Sequence, residues 1–267
     1  MLILWVDTWA DSFTKLLAFN LTQYDRVLSL DSDSTLLREM DELFLIPPCT
    51  VAMPLAYWLL DDSPPRYILA SHVMLVQPST AEFARIVGMV ESSALNEYDM
   101  EVLNDMYHDT ATVIPHRPYG MLSSEFRRST IDREDEKSEV PLTRKKEHPQ
   151  QRHTSYLGSD TEIWDPTVTY NEAKFIHFSD WPIPKPWIRM NESEKRKYQP
   201  DCVKQADGNF DCSERIIWNE LYEDFWHRRE VNMPITSSPF LLASPYNRNA
   251  DRLLLENLHT WGLIILR

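Results

Sequence analysis

A chain of 267 residues can bury one sizeable core, and its 43% apolar and 25% charged fractions are those of an ordinary soluble globular protein. A formal net charge of −14 argues against nucleic acid or an anionic membrane as partner. No run approaches the ~20 apolar residues of a membrane span, and no basic region precedes Leu2–Val6, so neither a span nor a secretory signal is expected.

Met1 to Trp9 is a short apolar start. Asp11 or Ser12 can cap a helix from Phe13 to about Asn20, with Phe13, Leu16 and Leu17 on its apolar face and Lys15 off that stripe. Arg26 to Leu30 reads as a buried strand that runs straight into Asp31-Ser32-Asp33. Ligands of α/β sheets collect at the carboxyl ends of strands. Carboxylates at i and i+2 of an extended segment point to one side, so Asp31 and Asp33 can reach one ion. Hard oxygen donors suit Mg²⁺ or Mn²⁺, which bridges readily to a diphosphate. Taken alone, such a triplet is more often a solvated turn.

Cys49 to Met53 reads as a strand ended by Pro54, and Ser71 to Ser79 as another strand followed by a turn and a helix start. Thr80 then caps a helix with Phe83, Ile86, Val87 and Val90 on its core face. Asp99, within Asn96 to His108, can serve as a helix N-cap. Ala111 to Ile114 is a short strand. Arg127 to His153 is dense in both charges with few large aliphatics, which predicts a disordered loop. Lys174 to Phe178 alternates as a strand with His177 at its end, where a lone histidine is usually structural. Asp211 with Glu214 resembles a capping box, followed by Ile217, Leu221 and Phe225 as a stripe beside Trp218, Tyr222 and Trp226. Cys202 and Cys212 either pair in an oxidising lumen or stay as two thiols.

Several of these stretches together resemble the glycogenin-like family 8 glycosyltransferases. Phe13 to Asp33, FTKLLAFNLTQYDRVLSLDSD, is similar to the family segment with a lysine, an LTQYDRV lead-in and a DxD. Ser71 to Ser79 is similar to another, although His72 and Val73 replace its small residues. Asn96 to His108 resembles the family helix in which Asp99 matches the aspartate gripping the donor sugar and Asn104 the closing asparagine, with Met100 in place of glutamine. KFIHFSDWPIPKPW, from Lys174 to Trp187, resembles the family's histidine followed by Lys-Pro-Trp, with a longer spacing and Asp180 where glycine is usual. The helix after Asp211 resembles the C-terminal helix of fungal N-acetylglucosaminyltransferases within family 8.

The resemblance implies an α/β fold of the GT-A nucleotide-diphospho-sugar transferase type, a mixed central sheet flanked by helices, incomplete at the N-terminus. It implies a catalytic portion over 1–190 and a helical appendage over 191–267. The activity implied is transfer of N-acetylglucosamine or glucose from a UDP-sugar to a glycan hydroxyl with retention of configuration. Asp31, Asp33 and His177 would hold Mn²⁺ or Mg²⁺, with Asp33 an exposed ligand. Lys15, Lys185 and Asp31 would meet the donor, and Asp99 would orient its sugar. The implied partners are the nucleotide-sugar donor and a glycan acceptor, in the Golgi lumen, although nothing in the chain is a targeting segment and the cytoplasm stays open. Only fourteen residues precede Lys15, too few for the family's first strand and base pocket, so weak turnover is expected. The rival reading is a catalytically weak or inactive relative that binds or scaffolds. A metal-dependent phosphohydrolase fits the Lys-Pro-Trp tail less well.

Overall fold

The computed structural model describes residues 12–60, 66–94, 97–127, 154–159, 161–205, 207–232 and 263–266. The apolar start Met1 to Trp9 and the charged segment beyond Arg127 as far as His153 lie outside the described residues. In chain order the strands are β1 (Val27–Leu30), β2 (Ser34–Leu36), β3 (Val51–Pro54), β4 (Val73–Val76) and β5 (Thr112–Ile114). They continue as β6 (Met121–Leu122), β7 (Phe175–His177), β8 (Val203–Lys204), β9 (Phe210–Asp211) and β10 (Leu263–Leu266). The longer helices are α1 (Thr80–Ser92), α2 (Asp99–Tyr107), α3 (Pro166–Glu172), α4 (Glu192–Tyr198) and α5 (Ser213–Asn232). Two compact units emerge, one of residues 1–32, 39–116 and 237–267, the other of 33–38 and 117–236.

The first unit is built on a five-stranded sheet in the order β10-β1-β4-β3-β5. It is mixed: β1 runs antiparallel to β10 and β4, β3 antiparallel to β4, and β3 parallel to β5. Strands β1, β3 and β4 are buried at every residue, which is why their sequences are apolar runs, broken only by Ser29 and Pro54, and not alternations. Val27, Val51, Met53, Met74 and Val76 share one core with Ile86 of α1 and Val102, Leu103 and Tyr107 of α2. Each such side chain contributes roughly 1.5–3 kcal/mol of burial. This is the expected α/β architecture, a mixed sheet with helices against it.

Several local details differ from the sequence reading, and Pro54, expected to end its strand, lies inside β3 and pairs with Ile114. Ser12–Asn20 is a 3₁₀ helix, so residues three apart stack on one side, and the buried set is Lys15, Leu16, Ala18 and Phe19. Ser79, not Thr80, caps α1, its hydroxyl accepting from the Glu82 N–H at 3.5 Å. On α1, Met89 joins Phe83, Ile86 and Val90 against the core, whereas Val87 is exposed.

The second unit holds a three-stranded sheet in the order β2-β7-β6, with β7 antiparallel to β2 and parallel to β6. Asp165 caps α3 by accepting from the Thr167 and Val168 N–H groups at 2.9 and 3.0 Å, and Pro166 fills the first helical position. Helix α5 buries Ile217, Trp218, Leu221 and Tyr222, and Phe178 packs edge-on against Tyr222 and Phe225, ring centres 4.9 and 5.3 Å apart. Cys202 and Cys212 are disulfide-bonded across the base of the β8–β9 hairpin. Gly208 turns that hairpin at φ +89°, a conformation that side chains rarely adopt. Glu214 Oε1 accepts from the Trp164 indole at 2.8 Å, and Asp211 accepts from the Ser213 N–H at 2.9 Å.

Candidate functional site

Strand β1 delivers Asp31. Its N–H donates to the His72 carbonyl at 3.0 Å, one step beyond the last β1–β4 pair, so the backbone is pinned where the sheet ends. The 3₁₀ helix brings Lys15 to the same place, anchored through Leu16 and Phe19 in the core. Asp99 opens α2, and its N–H donates to the Ser12 hydroxyl at 3.3 Å, tying α2 to the 3₁₀ helix. The result is one ammonium between two carboxylates: Lys15 Nζ lies 2.5 Å from Asp31 Oδ1 and 3.0 Å from Asp99 Oδ2. Lys15 is buried although it lies off the apolar stripe. Burial pulls its ammonium down, but Asp31 and Asp99 outweigh burial and hold it above its ordinary value.

Asn104 works elsewhere. Its amide donates to the Leu69 carbonyl at 2.9 Å and accepts from the Leu69 N–H at 2.8 Å, stitching α2 to the segment before β4. That is a structural clamp, with both backbone groups satisfied by one side chain.

In the second unit, Asp33 immediately precedes β2 and His177 ends β7, where His177 pairs in register with Ser34. The Phe178 N–H donates to the Asp33 carbonyl at 2.7 Å and extends that ladder by one step. His177 Nε2 lies 3.2 Å from Asp33 Oδ1, and Lys185 forms an ion pair with Asp33 Oδ2. Each carboxylate oxygen therefore faces a basic group. Asp33 is only 7% exposed, which corrects the expectation of an exposed ligand. Burial pushes its carboxyl up, but His177 and then Lys185 outweigh that and hold it well below the usual carboxylate range. All the residues expected in the site thus fall into two clusters, Lys15–Asp31–Asp99 and Asp33–His177–Lys185. The chain passes from one unit to the other between Ser32 and Asp33. Two residues of chain separate the Asp31 and Asp33 Cα atoms by at most about 7 Å.

Sequence reasoning missed the support behind the second cluster. Asp180, three residues past His177, is buried at 5% exposure. Arg127 Nε donates to its Oδ1 at 2.7 Å, the Trp218 indole to its Oδ2 at 2.7 Å, and Arg127 Nη2 to the Trp181 carbonyl at 2.7 Å. Burial pushes the Asp180 carboxyl up, and Arg127 partly offsets it. This network fixes the loop that carries Lys185. Its signal in the sequence is Asp180 standing at the family's glycine, but Arg127 is read there as the first residue of a disordered loop. It is in fact fully buried.

No protein-family model matches the chain. It is 54% identical over 220 residues to glucose N-acetyltransferase 1 of Gibberella zeae, covering 82% of this chain and 43% of that protein. To the protein of the same name from Aspergillus fumigatus it is 42% identical over 240 residues, covering 84% and 55%. The chain thus spans about half the length of these curated relatives. Among solved structures it is similar to the bifunctional glycosyltransferase WbbM, with TM-score 0.47 and 14% identity over 82% of this chain and 37% of that one. A glycosyltransferase of Streptococcus pneumoniae, GlyE, gives TM-score 0.43 and 15% identity over 86% and 49%. Both scores are low, and the fold assignment rests on the sheets described above.

Proposed function

Since the chain belongs with the fungal glucose N-acetyltransferase 1 proteins, we propose that it is the catalytic part of a metal-dependent glycosyltransferase of the GT-A type. The reaction moves a hexose, N-acetylglucosamine or glucose, from a UDP-sugar to a glycan hydroxyl. The observation that carries this reading is Asp33, a buried carboxylate held ionised by His177 and Lys185.

Two carboxylates and an imidazole are a donor set that suits Mn²⁺ and accepts Mg²⁺. Asp31, Asp33 and His177 are the residues assigned to hold the ion, which when bound acts as a Lewis acid on the diphosphate. Lys185 and Lys15 are ion-paired with Asp33 and Asp31, the aspartates assigned to the ion, so each ammonium would stand close to a diphosphate bound there. As the bond from the sugar C1 to UDP breaks, its electron pair stays with the diphosphate, and the lysines share the negative charge without reorganising. The acceptor oxygen bonds C1 as its proton passes to an oxygen of the departing UDP or to solvent. Asp99, fixed by Lys15 and by α2, orients the donor sugar. A Golgi-lumen location is supported by the Cys202–Cys212 disulfide, a bond that persists in oxidising compartments. Among the described residues no helix is long and apolar enough to cross a membrane.

The test is UDP release from UDP-N-acetylglucosamine and UDP-glucose, with Mn²⁺ and with chelator. Release that needs Mn²⁺ and is lost in Asp33→Asn is expected. Chelator-insensitive release, or none from either donor, contradicts the proposal.

A further inference from the structure

The second unit contains a cavity of about 340 Å³ between the segment Ile188–Glu192 and one side of helices α4 and α5. That is within the range of small-ligand sites. Its walls include the rings of Trp226 and Tyr222, and the Arg189 guanidinium lies 5.9 Å from the centre of the Trp226 ring. Around them stand Glu192, Lys195, Asn219 and Glu223. Lys195 is ion-paired with Glu223, so the lining offers no excess of positive charge to attract a phosphate. Aromatic faces with amide, carboxylate and guanidinium groups beside them match a neutral polyol, whose C–H faces lie on rings and whose hydroxyls both donate and accept.

The cavity's position narrows its occupant. The Ile188 N–H donates to the Lys185 carbonyl at 2.9 Å, so one turn links its first lining residue to the lysine on Asp33. Such a turn holds its end Cα atoms within about 7 Å. On the other wall, Tyr222 packs against Phe178, the residue next to His177. An acceptor must bring its hydroxyl to within about 3–3.5 Å of the donor carbon. Two lining residues, Ile188 one turn from Lys185 and Tyr222 in ring contact with Phe178 beside His177, set the cavity next to the segments that carry those groups. We infer that this cavity is the acceptor subsite, binding a neutral oligosaccharide through Trp226, Tyr222 and Glu223. The inference rests on the sugar-transfer reading for its role but not for its ligand.

The experiment titrates the full chain with a panel of neutral disaccharides (maltose, cellobiose, lactose, chitobiose and mannobiose) by saturation-transfer NMR, and with UDP plus Mn²⁺ by calorimetry. At least one disaccharide should bind. Trp226→Ala should weaken it about tenfold or more, as truncation of an aromatic anchor does, with UDP affinity unchanged. Glu223→Gln, at an exposed position, should weaken the same disaccharide several-fold and decides the matter if Trp226→Ala does not fold. Binding of no disaccharide, or equal binding by the folded variants, overturns the inference. Wild-type chain that binds disaccharide but not UDP supports the ligand and counts against the sugar-transfer reading alone.

Discussion

At the scale of single residues, the described charges that matter are buried and answered. Arg127 and Asp180 are both essentially inaccessible, and each would be an uncompensated buried charge without the other. Removing one partner of such a pair costs about 3–5 kcal/mol. Arg127→Met should therefore lower stability by that amount in urea unfolding, whereas the same change at the exposed Arg85 should barely register. A pH effect belongs here too. Burial holds the phenols of Tyr107, Tyr156 and Tyr222 above their ordinary value of 10.0, aided by Glu82, Glu125 and Asp180 respectively. A folded-state value raised in this way gives stability that is complete below pH 10.0 and lost as pH climbs through the folded values. Alkaline difference spectra of the native chain should show these tyrosines ionising only with unfolding, while the denatured chain titrates all eleven together. A native chain in which all eleven ionise near 10.0 would refute the burial argument.

At the scale of elements, legibility followed burial pattern. Strands β1, β3 and β4 were readable because both faces are covered and the runs are almost wholly apolar. Helix α5 was readable from its aromatic spacing: of the six residues read there, Ile217, Trp218, Leu221 and Tyr222 are buried, and Phe225 and Trp226 are half-buried. The 3₁₀ helix is not legible from a helical wheel, which assumes a period of 3.6; at a period of 3 the buried Lys15 lies in line with the buried Ala18. Strand β6, two residues long, carries no period to read. The candidate site was legible in the identities of its residues, since motif spacing survives without coordinates. Its support was not: Arg127 and Asp180 meet only through folding, and neither marks the other in sequence. Helix α5 also supplies a test of that support. Trp218→Phe keeps one aromatic ring but removes the indole donor from Asp180 Oδ2 and leaves a gap at a fully buried position, which together should cost at least about 1–3 kcal/mol in thermal unfolding. An unchanged midpoint would mean that the hydrogen bond contributes nothing net.

At the scale of the molecule, each of the two units carries one buried cluster of opposite charges, and the chain passes from one unit to the other between Ser32 and Asp33. The first supplies a lysine clamped by two carboxylates, the second a carboxylate clamped by a histidine and a lysine. A net charge of −14 makes local cations the deciding feature for an anionic donor. Lys15 and Lys185, with the ion that Asp31, Asp33 and His177 are proposed to hold, are the groups that answer it. The most direct measurement is calorimetric titration of UDP into the wild-type chain and into Asp33→Asn, each with Mn²⁺ and with chelator. The account predicts binding by the wild-type chain only when Mn²⁺ is present, and its loss in a variant that still unfolds cooperatively. Equal binding with and without Mn²⁺, or full binding by folded Asp33→Asn, would contradict it.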